Sequence, residues 1–353
     1  MLATIAQTLG VRQSVGQSLL EGLVAALKTA PVLLILDNVE QVRAAAAQFE
    51  LLLAQTEQLK LLVTSQVPLE GAHETIFNVP PLLLPQHGQR LAPAQLLRFP
   101  SIALFVDRMQ AIQPSFTLEA QNAAAVVEIC TRVQGLPLAI ELVAAHSNQM
   151  APKDLLFLLR NYLPLPKTPG TDLSREQILR PLLDWCSKTL APAVLELFLG
   201  LSVFGGGWNL AAASEICGAG PDRSAVAENL AVLLEKHLIL HEVFPDQVAH
   251  YVMLDAINDY SRQRLAQLPE ASQIKRRHAM YYLSLITSAE QVPDRREKLR
   301  LEREYHNVRT ALRWFVDHDQ ADQAARLAGA MGFFWYHWGY WSEGQRWLEQ
   351  IRP

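Results

Sequence analysis

The first residue that could do chemistry is Asp37, which ends the apolar run VLLIL at residues 32–36. A short, continuous apolar run is typical of a strand buried on both faces of a parallel sheet. A carboxylate at the carboxyl end of such a strand faces the ligand crevice of an α/β layer. Because many strands end in an acid that only caps the next helix, both interpretations of Asp37 stay open.

Three polar residues, Thr64, Ser65 and Gln66, end the next apolar run, LKLLV at residues 59–63. Hydroxyl and amide groups at a strand end can hydrogen-bond a ligand, although Gln66 donates without bringing positive charge. The alternative is a polar strand end without a ligand.

A third candidate is the junction Gly135-Leu136-Pro137, followed by Leu138. Glycine just past one helix and proline in the first turn of the next is a common way to join two helices. From these residues alone, the junction is interpretable as a connection between two helices.

The elements that must position these residues are mainly helical. The pattern predicts a partial α/β start, with strands in VLLILD (32–37), LKLLVTS (59–65) and ETIFNVP (74–80). Helices follow, and then a winged helix in which the β-like runs LILHEVF and HYVML predict a hairpin. The first helices of a solenoid end the chain. We expect four parts: an α/β domain over 1–88, a helical subdomain over 89–165, a winged-helix subdomain over 166–268 and a helical array over 269–353. Residues 162–170 hold three prolines and a glycine and predict a linker.

Composition limits the class of protein. The chain has 353 residues, a formal net charge of -4 and three widely spaced cysteines, Cys130, Cys186 and Cys217. This indicates a globular protein without a global basic surface, and reduced thiols. No apolar stretch is long enough to span a bilayer, and the first residues do not resemble a signal peptide. We therefore expect a cytoplasmic protein with no membrane partner.

Three other features are weaker. The run Gly205 to Gly207 is not followed by a lysine and predicts a turn. His237 and His241 lie across a change from helix to strand, which disfavours a metal pair. Seven aromatic residues between Phe333 and Trp341 could form a ligand platform, although solenoid core is the favoured interpretation.

Several segments together resemble one family. Seven segments are similar in order and spacing to segments of bacterial STAND ATPases. They are LLILDNVEQV, LLVTSQVPL, FNVPPL, LFVDRMQAIQPSF, VEICTRVQGLPLAIELVAA, LSVFGGGW and MLDAINDYSRQRL. These ATPases are NB-ARC-like regulators often coupled to LuxR-type or SARP-type DNA-binding domains. EYHNVRTALRWFVD and GYWSEGQRWLE resemble the start of their TPR-like sensor. The resemblance covers nearly the whole chain and implies a switch between an ADP-bound closed state and an ATP-bound open state.

The resemblance assigns roles only to matching positions. Asp37 corresponds to the Walker B acid that anchors Mg²⁺, Thr64 and Ser65 to the phosphate sensor, and Gly135-Leu136-Pro137 to the GLPL motif beside the adenine base. Asn38 stands where some relatives carry a second acid, and an amide cannot act as a general base.

Other positions depart from the family pattern. Gln66 replaces the sensor arginine, and Leu254 replaces a histidine that contacts the ADP β-phosphate, although Asp255 could still cap the following helix. None of the eight lysines follows a glycine, so no G-x-x-x-x-G-K-[ST] loop is present. We expect that loop to lie upstream of the position of Met1, and ATP or ADP with Mg²⁺ to bind weakly or not at all.

Three functions therefore compete. The first is a STAND-type regulatory switch or scaffold that senses an unknown inducer or protein partner through its C-terminal helices and can form homo-oligomers. The second is an ATP-hydrolysing regulator whose phosphate-binding loop is missing only from this sequence. The third and weakest is a DNA-binding winged helix, because the segment AVAENLAVLLEKHL is apolar or acidic where phosphate contacts need Lys and Arg. We expect no direct DNA contact and no ATP hydrolysis by this chain.

Overall fold

The structure is a computed structural model that describes residues 2–11, 18–39, 46–86, 91–147, 150–163, 173–218, 223–243, 249–288, 295–337 and 340–351. The described residues are mainly helical, with four short strands in two sheets. Contacts group residues 1–79, 289–293 and 320–353 into one unit, and 80–288 and 294–319 into a second. The predicted fold class, mainly α with a partial α/β start and a winged helix, is confirmed.

The α/β start contains three helices and a two-stranded parallel sheet. The elements are α1 (Leu2–Thr8), α2 (Leu19–Leu27), β1 (Val32–Leu36), α3 (Ala46–Gln55) and β2 (Leu59–Val63). The strands pair in register from Val32 opposite Leu59 to Leu36 opposite Val63. A reciprocal cap between Ser18 and Glu21 begins α2, as serine followed three residues later by glutamate favours.

One face of this sheet is packed and the other is exposed. Leu34 joins a core with Leu23, Leu27, Phe49 and Leu52. In contrast, Leu33, Ile35 and Leu62 are 57%, 66% and 54% exposed. Alternating burial of a wholly apolar strand is unusual for a parallel sheet, which is normally covered on both faces.

The predicted third strand, ETIFNVP at residues 74–80, is wrong. Those residues form no strand, and Phe77 and Val79 are 82% and 84% exposed. A strand needs a neighbouring backbone to pair with, and β1 and β2 pair with each other. Each of the two strands keeps one free edge, but residues 74–80 pair with neither.

The helical subdomain comprises α4 (Pro93–Leu96), α5 (Pro100–Ile112), α6 (Ala120–Arg132), α7 (Pro137–Ala145) and α8 (Pro152–Tyr162). Proline occupies the first helical turn of α4, α5, α7 and α8, where its missing N–H costs nothing. The core consists of apolar residues at helical spacing, including Phe105, Val126, Ile129, Ile140 and Val143, all completely buried. The predicted linker lies outside the described residues from 164 onward.

The next helix is α9 (Arg175–Lys188), and the winged helix follows it. The winged helix contains α10 (Pro192–Gly200), a 3-10 turn (Leu201–Val203), α11 (Leu210–Cys217), α12 (Arg223–Glu235), β3 (Leu240–Val243), β4 (Ala249–Val252) and α13 (Asp255–Leu265). The two strands form the predicted antiparallel hairpin, with Leu240 opposite Val252. Trp208 adds an antiparallel bridge to Tyr251, which ties the segment before α11 to the hairpin.

Four helices complete the chain: α14 (Ala271–Thr287), α15 (Arg295–Asp317), α16 (Ala321–His337) and α17 (Trp341–Ile351). Helix α14 packs on α15, and α16 packs on α17. Trp335 is buried and packs against Gly344, which supports the core interpretation for that aromatic side chain. Tyr336 and Trp341 are instead about half exposed, at 57% and 47%.

The structure also describes the helix lengths and the three cysteines on which the expectations from composition depend. Among the described residues, no helix is both long and apolar enough to cross a membrane. The three cysteines are free thiols, with Cys130 and Cys186 buried and Cys217 half-buried. Burial raises the pKa of each thiol above its usual range, to about 12 for Cys217.

Candidate functional site

The carboxyl ends of β1 and β2 bring Asp37, Asn38 and Thr64 together. The hydroxyl of Thr64 donates a short hydrogen bond to Oδ1 of Asp37 and accepts one from the backbone N–H of Asn38 at 3.0 Å. The backbone of Thr64 makes two further hydrogen bonds: its N–H donates to Leu36 O at 2.9 Å, and its carbonyl accepts from the Val39 N–H at 3.1 Å. Thr64 therefore fixes the Asp37 carboxylate at the sheet edge where the sequence predicts a ligand.

Asn38 allows this arrangement through its backbone. Its φ is 60°, in the left-handed region that asparagine tolerates better than most residues. The resulting turn points the Asn38 N–H at Thr64 and buries Val39, which is 2% exposed. Backbone in this region is enriched at ligand sites, because the surrounding structure must hold it there.

The Asp37 carboxylate could supply one ligand to a Mg²⁺ ion, which does not need a site enclosed by protein ligands. Among the residues that the structure describes, no group of three or more His, Cys, Asp or Glu side chains could hold a metal ion. Mg²⁺ keeps several waters and commonly takes one or two carboxylates together with phosphate oxygens. The exposed Asp37 could supply one such carboxylate.

Ser65 and Gln66 are arranged differently from Thr64. The Ser65 hydroxyl donates to the Val67 carbonyl at 2.7 Å and accepts from the Val67 N–H at 3.3 Å, so it stabilises its own turn. Gln66 is exposed. Only Thr64 of the three makes a hydrogen bond to Asp37 in the structure described, and the sensor roles of Ser65 and Gln66 stay predictions.

The Gly135-Leu136-Pro137 junction connects α6 to α7 in the second unit. Gly135 has a φ of 68°, and its N–H donates to Cys130 O at 3.0 Å, which ends α6 with a left-handed residue. Leu136 precedes α7 in extended conformation, and the exposed Pro137 is its first residue. The predicted helix junction is therefore present.

Gly135 has a second reason to be glycine. Its carbonyl accepts from the Leu82 N–H at 3.0 Å, and an added Cβ would lie 2.2 Å from Leu82 O. Ser101 Oγ donates to Leu83 O at 2.6 Å, so the extended segment around Leu82 is held at two points. The junction thus anchors that segment, a structural role that sequence reasoning did not identify.

Asp255 does not cap α13 in the way we expected. The helix begins at Asp255 itself, and the capping position is Leu254, which has no side-chain hydrogen bond to the helix. Asp255 sits in the first turn, where a negative charge interacts favourably with the exposed N–H groups. The cap prediction is therefore off by one position.

Sequence reasoning missed a buried polar cluster on α15. Glu304 is 6% exposed and Asn307 is fully buried. Both lie on the stripe of buried residues that includes Leu301, Val308 and Leu312. The available signal was two polar residues three apart on an otherwise apolar helix face.

Comparisons with known proteins agree with this architecture. The family described as "Winged helix-turn-helix domain" matches residues 190–266. A relative from Mycobacterium tuberculosis (strain ATCC 25618 / H37Rv), named "Putative HTH-type transcriptional regulator Rv0890c", is 30% identical over 99% of this chain and 38% of its own length. A second protein from that strain, "Uncharacterized protein Rv0894", is 31% identical over 76% of this chain and 66% of its own length.

The chain therefore spans about two fifths of the length of the first relative. A solved structure described as a Signal Transduction ATPase with Numerous Domains (STAND) protein with a tetratricopeptide repeat sensor, from Pyrococcus horikoshii, aligns with the whole chain and 49% of its own, at a TM-score of 0.48 and 13% identity. The winged helix-turn-helix match falls on the part of the chain where the sequence predicts a winged helix.

Proposed function

We propose that this chain is part of a STAND-type signalling and transcription-regulatory protein that acts as a nucleotide-linked switch or scaffold. The observation that carries the proposal is the Asp37–Thr64 hydrogen bond at the carboxyl ends of adjacent parallel strands. Ligands of open α/β sheets bind at this edge. ATP or ADP with Mg²⁺ is the ligand class that the arrangement and the family resemblance favour.

Each residue would contribute a limited part of such a site. Asp37 would hold the water shell of Mg²⁺, which supplies positive charge against the phosphates when bound. Thr64 would keep that carboxylate in one orientation. Since Gln66 brings no charge to a phosphate, we expect nucleotide affinity from these residues alone to be weaker than micromolar.

Calorimetric titration of the chain with ATP and ADP, with and without Mg²⁺, tests the proposal. We expect weak binding that Mg²⁺ strengthens for ATP, and no measurable release of phosphate. Asp37→Asn should remove the Mg²⁺-dependent increment. Glu57→Gln, which neutralises another exposed carboxylate of the same unit, should leave the increment unchanged. Absence of any Mg²⁺-dependent binding at millimolar nucleotide would contradict the nucleotide-linked role.

The alternative is an active ATP-hydrolysing regulator. It requires a phosphate-binding loop whose lysine and backbone N–H groups cradle the phosphates. Sub-micromolar binding of ATP with Mg²⁺ to this chain, or a loop encoded in frame upstream of the Met1 codon, would favour that alternative.

A DNA-binding winged helix is the less favoured function. Helix α12, Arg223–Glu235, carries one arginine and two glutamates, whereas DNA affinity depends on several cations that neutralise phosphates. Fluorescence anisotropy with duplex DNA over a range of salt concentrations should show no binding at physiological salt. Salt-dependent binding that charge reversal on α12 removes would overturn this expectation.

A further inference from the structure

The side chain of Asn307 holds both ends of the Gly205–Gly207 turn. Its Oδ1 accepts from the Gly205 N–H at 2.9 Å, and its Nδ2 donates to the Gly207 carbonyl at 2.9 Å. The turn belongs to the winged helix, whereas Asn307 lies on α15, about a hundred residues later. One amide side chain therefore satisfies both a backbone N–H and a backbone carbonyl of this turn.

The glycines are required by close approach. A Cβ on Gly205 would lie 2.8 Å from the His306 carbonyl oxygen, and one on Gly206 would lie 3.3 Å from the His306 Cβ. A Cβ on Gly207 would lie 2.7 Å from Tyr251 O, within the winged-helix hairpin. The approach of α15 thus explains glycine at 205 and that of the hairpin explains glycine at 207, whereas the contact of Gly206 is only tight.

A second layer of buried groups supports Asn307. Nδ2 of Asn307 also donates to Glu304 Oε2 at 3.1 Å, and the Tyr282 hydroxyl of α14 donates to the same oxygen at 2.8 Å. The His278 ring lies between Phe204, at a centroid distance of 5.4 Å, and Tyr282, at 4.8 Å. These residues connect α14 and α15 to the segment that leads into the turn.

Separating the Gly205–Gly207 turn from α15 would cost free energy, because the groups between them are polar and hydrogen-bonded. Asn307 and Tyr282 are fully buried, and separating the turn from α15 would leave backbone and side-chain groups to find new partners. Apolar side chains would bury the same area and tolerate sliding between the parts. A directional network instead favours one arrangement and penalises intermediate ones. When a contact has only one favourable arrangement, movement of one element moves the element packed against it.

We propose that Asn307 is a coupling residue that joins the winged helix and the α14–α15 pair into one cooperative body. A displacement of α15, such as partner binding to the helical array would cause, then moves the Gly205–Gly207 turn and the hairpin bridged through Trp208. The regulatory use of this coupling depends on the proposed function. The coupling itself does not, and it is tested without nucleotide, so the two can fail separately.

Hydrogen exchange measured by mass spectrometry on the whole chain tests the coupling. In the wild type, we expect the hydrogen-bonded amides of Gly205 and Trp208 to open with the same free energy as those in the middle of α15. Asn307→Ala removes the acceptor of Gly205 directly, so the amide of Trp208 reports the coupling, and its exchange should accelerate by roughly tenfold or more beyond any change in α10 or α12. Leu312→Ala is the matched control, because it makes a cavity at another buried position of α15 and should accelerate exchange without selecting the turn.

Two outcomes would overturn the proposal. One is that the turn and α15 already open independently in the wild type, a measurement that needs no variant and so does not depend on how stably Asn307→Ala folds. The other is that Asn307→Ala accelerates exchange equally in the turn, α10 and α12, as the control does. The residue would then contribute to general stability alone.

Discussion

The Thr64 hydroxyl donates a hydrogen bond to the Asp37 carboxylate and so joins the ends of the two parallel strands. Each residue follows its strand directly, and the register of the pair places Leu36 opposite Val63 immediately before them. The orientation of the carboxylate therefore depends on a side chain 27 residues away in the sequence.

Thr64→Val should loosen this edge. The valine keeps the shape of threonine but loses the donor to Asp37 and the acceptor for the Asn38 N–H. We expect a loss of about 1 kcal/mol in the free energy of unfolding, measured by urea denaturation. Thr64→Ser keeps the hydroxyl and should lose less. If Asp37→Ala and Thr64→Val were fully additive in the double variant, the two side chains would not interact energetically.

Gly135→Ala should destabilise the second unit more than an ordinary glycine replacement. The site combines a φ of 68° with the close contact to Leu82 O. Gly10 provides the matched control, with a φ of 69° and nothing within 4 Å of its added Cβ. We expect Gly10→Ala to cost about 1 kcal/mol and Gly135→Ala roughly twice that or more. If both variants lost the same free energy of unfolding in urea denaturation, the close contact with Leu82 O would not contribute to the cost of Gly135→Ala.

His278 should make the protein less stable in acid. Burial lowers its pKa from 6.5 to about 4, so the folded state resists a proton that the unfolded state accepts. Its contribution is present above pH 6.5 and is lost as the pH falls toward 4, by about 3 kcal/mol. His278→Gln should flatten the dependence of unfolding free energy on pH in this window, whereas His318→Gln, at an exposed site, serves as the control. An unchanged slope in His278→Gln would exclude this source of acid sensitivity.

Glu304 should act in the opposite direction. Burial raises the pKa of its carboxyl group, partly offset by the hydrogen bonds from Tyr282 and Asn307 and by Arg300 and Arg303. Its contribution to stability is present below the unfolded pKa and is lost as the pH rises through the raised one.

Glu304→Gln keeps an oxygen acceptor for Tyr282 and Asn307 and removes the buried charge. We expect it to be at least as stable as the wild type at pH 8 and less dependent on pH. Glu304→Leu leaves both donors without that acceptor and should cost roughly 1–3 kcal/mol. Thermal denaturation at pH 5 and pH 8 separates the three proteins, and a large loss in Glu304→Gln would show that the charge itself is needed.

The α/β start should be the least resistant part of the chain to proteolysis. Leu33, Ile35 and Leu62 leave one sheet face exposed, and Phe77 and Val79 follow in an unpaired segment. We expect limited proteolysis to cut within residues 1–80 before it cuts within α5 to α7. Resistance equal to that of the second unit would contradict this expectation.

The elements with strong local signals were predictable from sequence, and those that depend on distant partners were not. The strands ending at Asp37 and Thr64, the junction at Gly135 and the hairpin before Asp255 follow from apolar periodicity and from glycine and proline. Residues 74–80 have strand propensity but pair with neither free edge of the sheet, which no local pattern reveals. The Gly205–Gly207 turn was predictable as a turn, although its reason lies in the approach of α15.

The buried, poorly ionised thiols have a practical consequence for spectroscopy. Cys130 and Cys186 are buried, and burial raises the pKa of all three thiols, so few thiolates form at neutral pH. A single cysteine introduced at an exposed position can then carry a fluorophore or spin label without removal of the native ones. Two such labels, one on the β3–β4 hairpin and one on α15, would report the distance between the winged helix and the helical array in the unmodified core.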